Sequence, residues 1–217
     1  LAQEIPPSLL SKLTLVKERI AAVRNYRLKS QRIGTQKLAE TPTRFQVNVI
    51  PKNPFLVIPE ISSYRREYLP IAWLNPPSVP SNKLRIIENA QKHIFAILVS
   101  AMHMSWVRHI GGRIKSDYQY SIGIVYNNFP LIAVNLNQIS KLEKSADNIL
   151  KERDNDPKAC LSDLYDPNSM SYSLKKAHIE NDRLVDKLYR ASSFKSDLER
   201  AEFLLNLFEN QKNQTNI

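Results

Sequence analysis

Hydrophobic and polar positions change their period along the chain, and each change marks an element. Over the first 44 residues Leu9, Leu13, Val16, Ile20 and Val23 recur at three- and four-residue steps. That spacing predicts one apolar helical stripe. Lys12, Lys17, Arg19, Arg24, Arg27, Lys29 and Arg32 occupy the rest of that surface. Thr35 is a candidate cap for a short helix reaching Leu38, closed by Thr41-Pro42. From about residue 45 to 90 the period is two, which predicts short strands at 45–49, 55–58, 68–74 and 84–88. Prolines at 51, 54, 59, 70, 76, 77 and 80 put several of these at edges or turns. Residues 93–110 are apolar nearly all round, the mark of a single buried helix, stopped at Gly111-Gly112 by a left-handed glycine turn.

The next residues alternate again. Arg113, Lys115, Asp117, Gln119 and Ser121 share one parity, and Ile114, Tyr118, Tyr120, Ile122 and Ile124 the other. This predicts one half-buried strand, with the apolar row inward and a cation, an anion and a carboxamide outward. Beyond Phe129-Pro130 the pattern is helical, at about 140–153, 171–190 and 196–211. Ser140-Lys-Leu-Glu143 and Ser196-Asp-Leu-Glu199 read as capping boxes. Leu198, Ala201, Leu204, Leu205 and Phe208 form an apolar face on the last helix, and 211–217 reads as a tail without structure. Strands, a buried helix, a reading strand and trailing helices predict an α+β fold, a mixed sheet packed on one helix. The expected organisation is a basic helical connector at 1–44, a recognition domain at 45–135 and a helical domain at 136–217.

Composition narrows the function. At 217 residues, 42% hydrophobic and 24% charged, the chain suits one or two ordinary cored domains. It begins at Leu1 inside a helical pattern, as a fragment of a longer protein would. No apolar run approaches the roughly 20 residues of a membrane span, and the single Cys160 suits a reducing cytoplasm. The net charge of +10 is unevenly placed: residues 1–126 hold 18 Lys/Arg against 7 Asp/Glu, whereas 136–217 hold 13 against 14. A cationic part beside a neutral one fits a polyanion partner by counterion release, or simply a solubilising surface.

Catalytic chemistry is missing from the pattern. Asn75-Pro76-Pro77 is followed by Ser78, so it lacks the stacking aromatic of an amino-group methyltransferase motif, and Gly34 alone lies outside the central glycines. His93, His103, His109, His178 and Cys160 show no metal-ligand spacing, and Asp154, Asp156, Asp163 and Asp166 lack the regularity of a calcium loop. No catalytic residue is expected in this chain.

Several stretches together resemble the C-terminal part of MmeI-like (type IIL) restriction–modification enzymes. They are Arg27-Leu-Lys-Ser30 with Thr35-Gln-Lys-Leu-Ala-Glu-Thr-Pro-Thr-Arg-Phe45, and Ile58-Pro-Glu-Ile-Ser-Ser-Tyr-Arg-Arg-Glu-Tyr-Leu-Pro-Ile71. The most specific are Met102-His-Met-Ser-Trp-Val-Arg108, Gly112-Arg-Ile-Lys-Ser-Asp-Tyr-Gln-Tyr-Ser121 and Val125-Tyr-Asn-Asn-Phe-Pro130. Leu161-Ser-Asp-Leu-Tyr-Asp-Pro167, with Met170, Leu174, His178, Asp182, Asp186 and Tyr189, resembles the helical C-terminus. Such enzymes are S-adenosylmethionine-dependent adenine-N6 DNA methyltransferases, with a Mg-dependent nuclease where one is present.

The resemblance implies that this chain binds double-stranded DNA beside an upstream methyltransferase domain and holds no cofactor itself. It assigns base reading to Lys115, Asp117 and Gln119, and makes Arg65, Arg66, Arg108 and Arg113 candidates for phosphate contact. The chemistry agrees, since lysine donates to guanine, aspartate accepts from cytosine N4 and glutamine pairs with adenine. Lys115 and Asp117 are expected to read one G·C pair; the bland alternative is a surface ion pair worth less than about 1 kcal/mol. The chain departs from the family pattern at Tyr64, usually acidic, at Gln119, often arginine, and at Leu131, usually tryptophan. Residues alone also admit a stand-alone nucleic-acid-binding or specificity subunit, or a module that meets acidic protein.

Overall fold

The computed structural model describes residues 5–46 and 50–215. The chain divides into two compact units, Leu1–Val49 and Ile50–Ile217. The first holds α1 (Pro7–Leu10), α2 (Thr14–Leu28), α3 (Ile33–Lys37) and a 3-10 turn at Leu38–Glu40. Its expected stripe is interrupted, because Leu13 precedes α2 outside the helix. Val16, Ile20 and Val23 are half-buried, and no residue of α2 is fully buried. Arg27, expected on the outer surface, turns back instead. Its guanidinium donates to the carbonyls of Leu38 (2.8 Å), Thr41 (2.9 Å) and Arg44 (2.7 Å). Thr35 is not a cap: it lies inside α3, which begins after Arg32. Of the strand expected at 45–49, Val47, Asn48 and Val49 lie outside the described residues, and Phe45 and Gln46 are not in a strand.

The second unit is α+β, as expected. The mixed sheet resolves into two three-stranded sheets, antiparallel throughout. One has β1 (Phe55–Pro59) between β3 (Ala72–Leu74) and β4 (Leu84–Glu88). The other orders β2 (Ile61–Ser62), β6 (Asp117–Gln119) and β5 (Gly112–Ile114). Most of the strand expected at 68–74 lies outside any ladder, with a tight turn of Ile71 N–H on the Leu69 carbonyl at 2.9 Å and Tyr68, Leu69 and Ile71 in the core. Asn75-Pro76-Pro77 is a turn closed by Ser78 N–H on the Asn75 carbonyl at 3.1 Å.

The helix expected over 93–110 is two helices, α4 (Lys92–Leu98) and α5 (Ala101–Ile110). Ser100 divides them. Its Oγ donates to Ile97 O at 2.7 Å and accepts from His103 N at 3.3 Å, capping α5. Asp182, from a distant helix, accepts the Ala101 N–H at 2.7 Å, a carboxylate at the positive end of α5. Hydrophobicity explains why both helices are buried; it carries no signal for the break.

The C-terminal part contains α6 (Leu136–Asp154), α7 (Leu161–Leu164), α8 (Tyr172–Tyr189) and α9 (Asp197–Thr215). The capping box of α6 is not at Ser140 but one turn earlier, with Asn135 and Gln138 exchanging hydrogen bonds of 3.0 and 2.8 Å. Ser196 does cap α9, accepting from Glu199 N at 3.2 Å. On α9, Ala201 and Leu204 are buried while Leu198 and Leu205 face outward, and the helix continues through Gln211 to Thr215 where a tail was expected. One core joins these helices to the sheets: Phe95, Met102, Trp106, Tyr118 and Tyr120 belong to the same cluster as Leu142, Ile149, Leu174, Val185 and Leu204. Among the described residues no helix is long and apolar enough to cross a membrane.

Polar groups thread this core in pairs. His103, fully enclosed on α5, shares a 3.0 Å hydrogen bond with the Tyr120 hydroxyl just beyond β6. Arg153 of α6 donates to the Tyr165 hydroxyl at 2.8 Å and to Ile71 O at 2.7 Å, and Tyr165 meets His178 Nε2 at 2.7 Å. Burial pushes His103 from its ordinary 6.5 down to about 3, and burial with the Arg153 charge also lowers His178. Asp182 moves the other way, raised from 3.8 to about 6 by burial.

These shifts set opposed pH slopes. Below 6.5 the unfolded chain protonates His103 while the folded one does not until about 3, so stability falls as the medium acidifies. Asp182 favours the folded state progressively below about 6 and offsets part of that loss. Replacing both partners, as His103→Leu with Tyr120→Phe, should flatten the acid slope, measured by urea unfolding from pH 7 to 4. Tyr120→Phe alone should keep the slope. Identical slopes in all three proteins would refute the assignment.

Candidate functional site

Gly111 leaves α5 with φ −66°, an extended and not a left-handed conformation. No glycine among the described residues has positive φ. What requires glycine is proximity: a Cβ on Gly111 would lie 2.4 Å from the Val107 carbonyl oxygen. The chain thus leaves the helix hugging its last turn and enters β5.

The single alternating strand expected from Arg113 to Tyr126 is a hairpin followed by a π-helical turn. β5 and β6 pair as Gly112–Gln119, Arg113–Tyr118 and Ile114–Asp117, with Lys115 and Ser116 forming a two-residue loop. Lys115 has φ +57° and Ser116 does not share it, the pattern of a type II′ hairpin, where glycine is the usual first residue. Residues 122–126 coil, their turn held by Asn128 Nδ2 on the carbonyls of Gly123 and Ile124, both at 3.0 Å.

The loop reverses the parity of everything after it. Residues opposite one another in an antiparallel ladder project to the same face. Ser62, Tyr118 and Arg113 therefore share one face, and Ile61, Gln119, Gly112, Asp117 and Ile114 the other. The first is the inner face: Ser62 and Tyr118 are buried, and the Arg113 guanidinium lies 4.0 Å from the Tyr118 ring centroid. Arg113 also donates to Ser116 O at 3.0 Å, clamping the hairpin loop. Ile114, expected inward, is outward beside Asp117 and 41% exposed; Ile122 and Ile124 are also exposed.

Lys115 stands exposed at the hairpin tip. Asp117 is half-buried on the outer face, and its Oδ1 accepts the Tyr64 N–H at 3.2 Å. Gln119 lies two residues further along the same face, beside Gly112. The three are thus on one element, with Lys115 in the loop and not in a strand row.

The arginines separate into two groups. Arg108, at the end of α5, pairs with Asp197 at the start of α9 and donates to Glu67 O (3.2 Å) and Arg66 O (3.4 Å). Its guanidinium is engaged within the protein. Arg65 is exposed, 3.8 Å from Asp166, and Arg66 is half-buried, its guanidinium making a long 3.5 Å contact to Ser62 Oγ. The Asp-rich stretch is turn chemistry. Asp156, Asp163 and Asp166 accept backbone N–H groups of Ala159, Cys160 and Asn168, and no described cluster of His, Cys, Asp and Glu could hold a metal ion.

Two features escaped the sequence. Tyr64 orients Asp117 through its backbone amide, which carries no side-chain signature. Nor does the loop show itself, since Lys115-Ser116 lacks the glycine or asparagine that marks a tight hairpin.

Two family models match in succession: "MmeI, target recognition domain" over residues 3–133 and "MmeI, C-terminal domain" over residues 134–215. DNA methyltransferase A of Bacillus subtilis (strain 168) is 38% identical over 195 residues, which is 90% of this chain and 22% of that protein. The solved Type IIL restriction-modification enzyme MmeI in complex with DNA is 36% identical. It superimposes with a TM-score of 0.91 over 98% of this chain and 28% of its own. The chain therefore spans only a quarter or so of the length of these relatives.

The backbone of the hairpin makes an asymmetric prediction. Lys115→Gly should leave stability equal or raise it by up to about 1 kcal/mol, because glycine adopts positive φ without strain. Lys115→Val should lower it by about 1–2 kcal/mol, since a β-branched residue fits that conformation worst. Gly111→Ala should cost about 1–3 kcal/mol through overlap with the Val107 carbonyl. Denaturant midpoints of the three variants test the order; a stabilised Gly111→Ala would contradict the geometry.

Proposed function

Because the chain belongs to the MmeI family, carrying its target recognition and C-terminal domains, we propose that it reads DNA sequence for a longer modification enzyme. In that enzyme an upstream S-adenosylmethionine-dependent domain methylates adenine, and cleavage, where retained, requires Mg at a separate nuclease. The residues here supply register and specificity, and none is assigned a catalytic step.

The observation that carries the reading is the hairpin. It projects an ammonium at its tip, a carboxylate held by one backbone amide and a carboxamide two residues on, the group types that read base edges in the major groove. Lys115 donates to guanine O6 and N7. Asp117 accepts from cytosine N4 of the same pair, and Gln119 addresses a neighbouring adenine. Arg65 and Arg66 lie next in sequence to Tyr64, whose amide holds Asp117, and this proximity supports phosphate contact as their role. Arg108 and Arg113 position the hairpin. The expected location of such an enzyme is the cytoplasm, where its DNA is.

Binding of the full-length protein to duplex DNA should fall steeply and linearly on a log–log plot against salt concentration. Exchanging Lys115→Glu with Asp117→Arg should change the base pair preferred at one position of the methylated sequence, read by mapping modified adenines genome-wide. A good contact of this type discriminates by about 1–3 kcal/mol. Flat salt dependence would remove nucleic acid as the partner, and an unchanged modified sequence would remove the hairpin as its reader.

A further inference from the structure

The outer face of the β2–β6–β5 sheet is not wholly polar. Ile61 lies directly opposite Gln119, and Ile114 directly opposite Asp117. Both isoleucines are 41% exposed, while on the inner face Ser62 and Tyr118 are buried and the exposed Arg113 lies over the Tyr118 ring. Each polar reader of β6 thus has one branched aliphatic side chain as its cross-strand neighbour, on opposite edges of the sheet. Opposite Gln119 on β5, Gly112 contributes no side chain, and the Gln119 carboxamide oxygen lies over it, 3.3 Å from where a Cβ would stand.

This arrangement follows from the parity reversal at Lys115-Ser116 and not from any need to fill a core. A solvated edge strand is ordinarily blunted with charge, lysine above all, whereas these two places carry isoleucine. The occupant is set by continuity with Asp117 and Gln119, which share the face and to which base edges are already assigned. In the major groove the apolar feature a base offers is the C5-methyl group of thymine, which lies next to its O4 acceptor. Cross-strand neighbours have Cβ atoms about 4.5–5.5 Å apart, against a rise of about 3.4 Å per base pair. An isoleucine beside a polar reader therefore falls on the same base pair or the next.

We infer that Ile61 and Ile114 are specificity-determining residues that recognise pyrimidine C5-methyl groups in the major groove, each beside the base edge read by its polar neighbour. Ile114 flanks the pair addressed by Asp117, and Ile61 flanks the one addressed by Gln119. The inference rests on the base-reading role of the hairpin. Shielding one methyl group from water corresponds to a preference of about three- to fivefold at each position. The same chemistry is offered by thymine and by 5-methylcytosine, which the test separates.

The experiment uses the full-length protein and duplexes bearing the sequence it methylates. Each thymine is replaced in turn by deoxyuridine, which deletes the methyl group and keeps every hydrogen-bonding atom. Each cytosine is replaced in turn by 5-methylcytosine. Binding in competition is expected to weaken about three- to fivefold at one or two thymine positions. The loss should vanish at one position in Ile114→Ala and at the other in Ile61→Ala, and persist in part in the Ile→Val variants. A response confined to the 5-methylcytosine arm would assign the same residues to a modified cytosine.

Three results would overturn the inference. They are a recognised sequence without a response to either methyl change, a deoxyuridine loss unaltered in both alanine variants, or a uniform loss on all duplexes including unrelated ones. The exchange Lys115→Glu with Asp117→Arg runs in parallel. If that exchange shifts the preferred base while methyl changes have no effect, only the isoleucines are misassigned. If the exchange leaves preference unchanged, the hairpin itself is not the reader.

Discussion

Three segments of the chain meet at the guanidinium of Arg108, and a fourth at its carbonyl. From the last turn of α5 it pairs with Asp197 at the head of α9 and collects the carbonyls of Arg66 and Glu67, while its own carbonyl accepts from Arg113 at 3.4 Å. A planar fork with several donors suits this task, since each hydrogen bond is made without further loss of freedom. The consequence for the site is geometric. The loop that orients Asp117 through Tyr64 and the hairpin that presents it are both referred to one helix end, and α9 closes the knot from outside. Loosening Arg108 would free the two sides of the Asp117 contact to drift apart. Three of its five N–H donors are engaged within the protein.

A second set of polar contacts fixes the other end of α5. Asp182 receives the Ala101 amide and the Tyr68 hydroxyl, both at 2.7 Å, and Tyr68 stacks on His178 at 4.2 Å. Asn181, beside it on α8, donates to Ala96 O of α4 at 2.8 Å. The two short helices are therefore gripped at their junction by α8 and at their end by α9. This explains why the C-terminal helices share a core with the sheets. Burying ionisable groups is costly unless each finds partners, and here the partners come from elements remote in sequence, so the packing is specified as one arrangement.

Periodicity revealed most of the helices and two of the strands, because a sustained apolar stripe survives local detail. Residues 171–190 and 84–88 were legible in this way. What escaped was set by single groups. Ser100 and Asp182 break a helix whose hydrophobicity is continuous, and Asn135 starts α6 a turn before the Ser140 pattern suggests. At the site, alternation from Arg113 to Gln119 correctly placed Asp117 and Gln119 together on an outward row. It could not show that Arg113 faces inward and Ile114 outward, because a two-residue loop preserves alternation along the chain while reversing which face each parity takes. Lys115 marks the loop only by its positive φ. That is a conformation its residue type does not announce.

On the proposed reading, the two faces of this small sheet divide labour between stability and recognition. On the inner face buried Tyr118 and Ser62 hold the ribbon to the core, and the exposed Arg113 braces it through the Tyr118 ring and the Ser116 and Arg108 carbonyls. On the outer face Gln119 and the Lys115 tip make no contact on which the core depends, so their chemistry can vary with little structural consequence. Asp117 differs. One of its oxygens is committed to the Tyr64 amide, so a side chain that reads another base must either satisfy that amide or release the loop carrying Arg65 and Arg66. The contact is solvent-exposed, so losing it costs about 0.5–1.5 kcal/mol, the net worth of a typical hydrogen bond, which overlaps the discrimination of one good base contact. Preference at Asp117 is therefore coupled to the loop at Tyr64, while preference at Gln119 is not. Variation in what this surface reads is then constrained at one position by backbone hydrogen bonding and at the other only by the reach of the side chain.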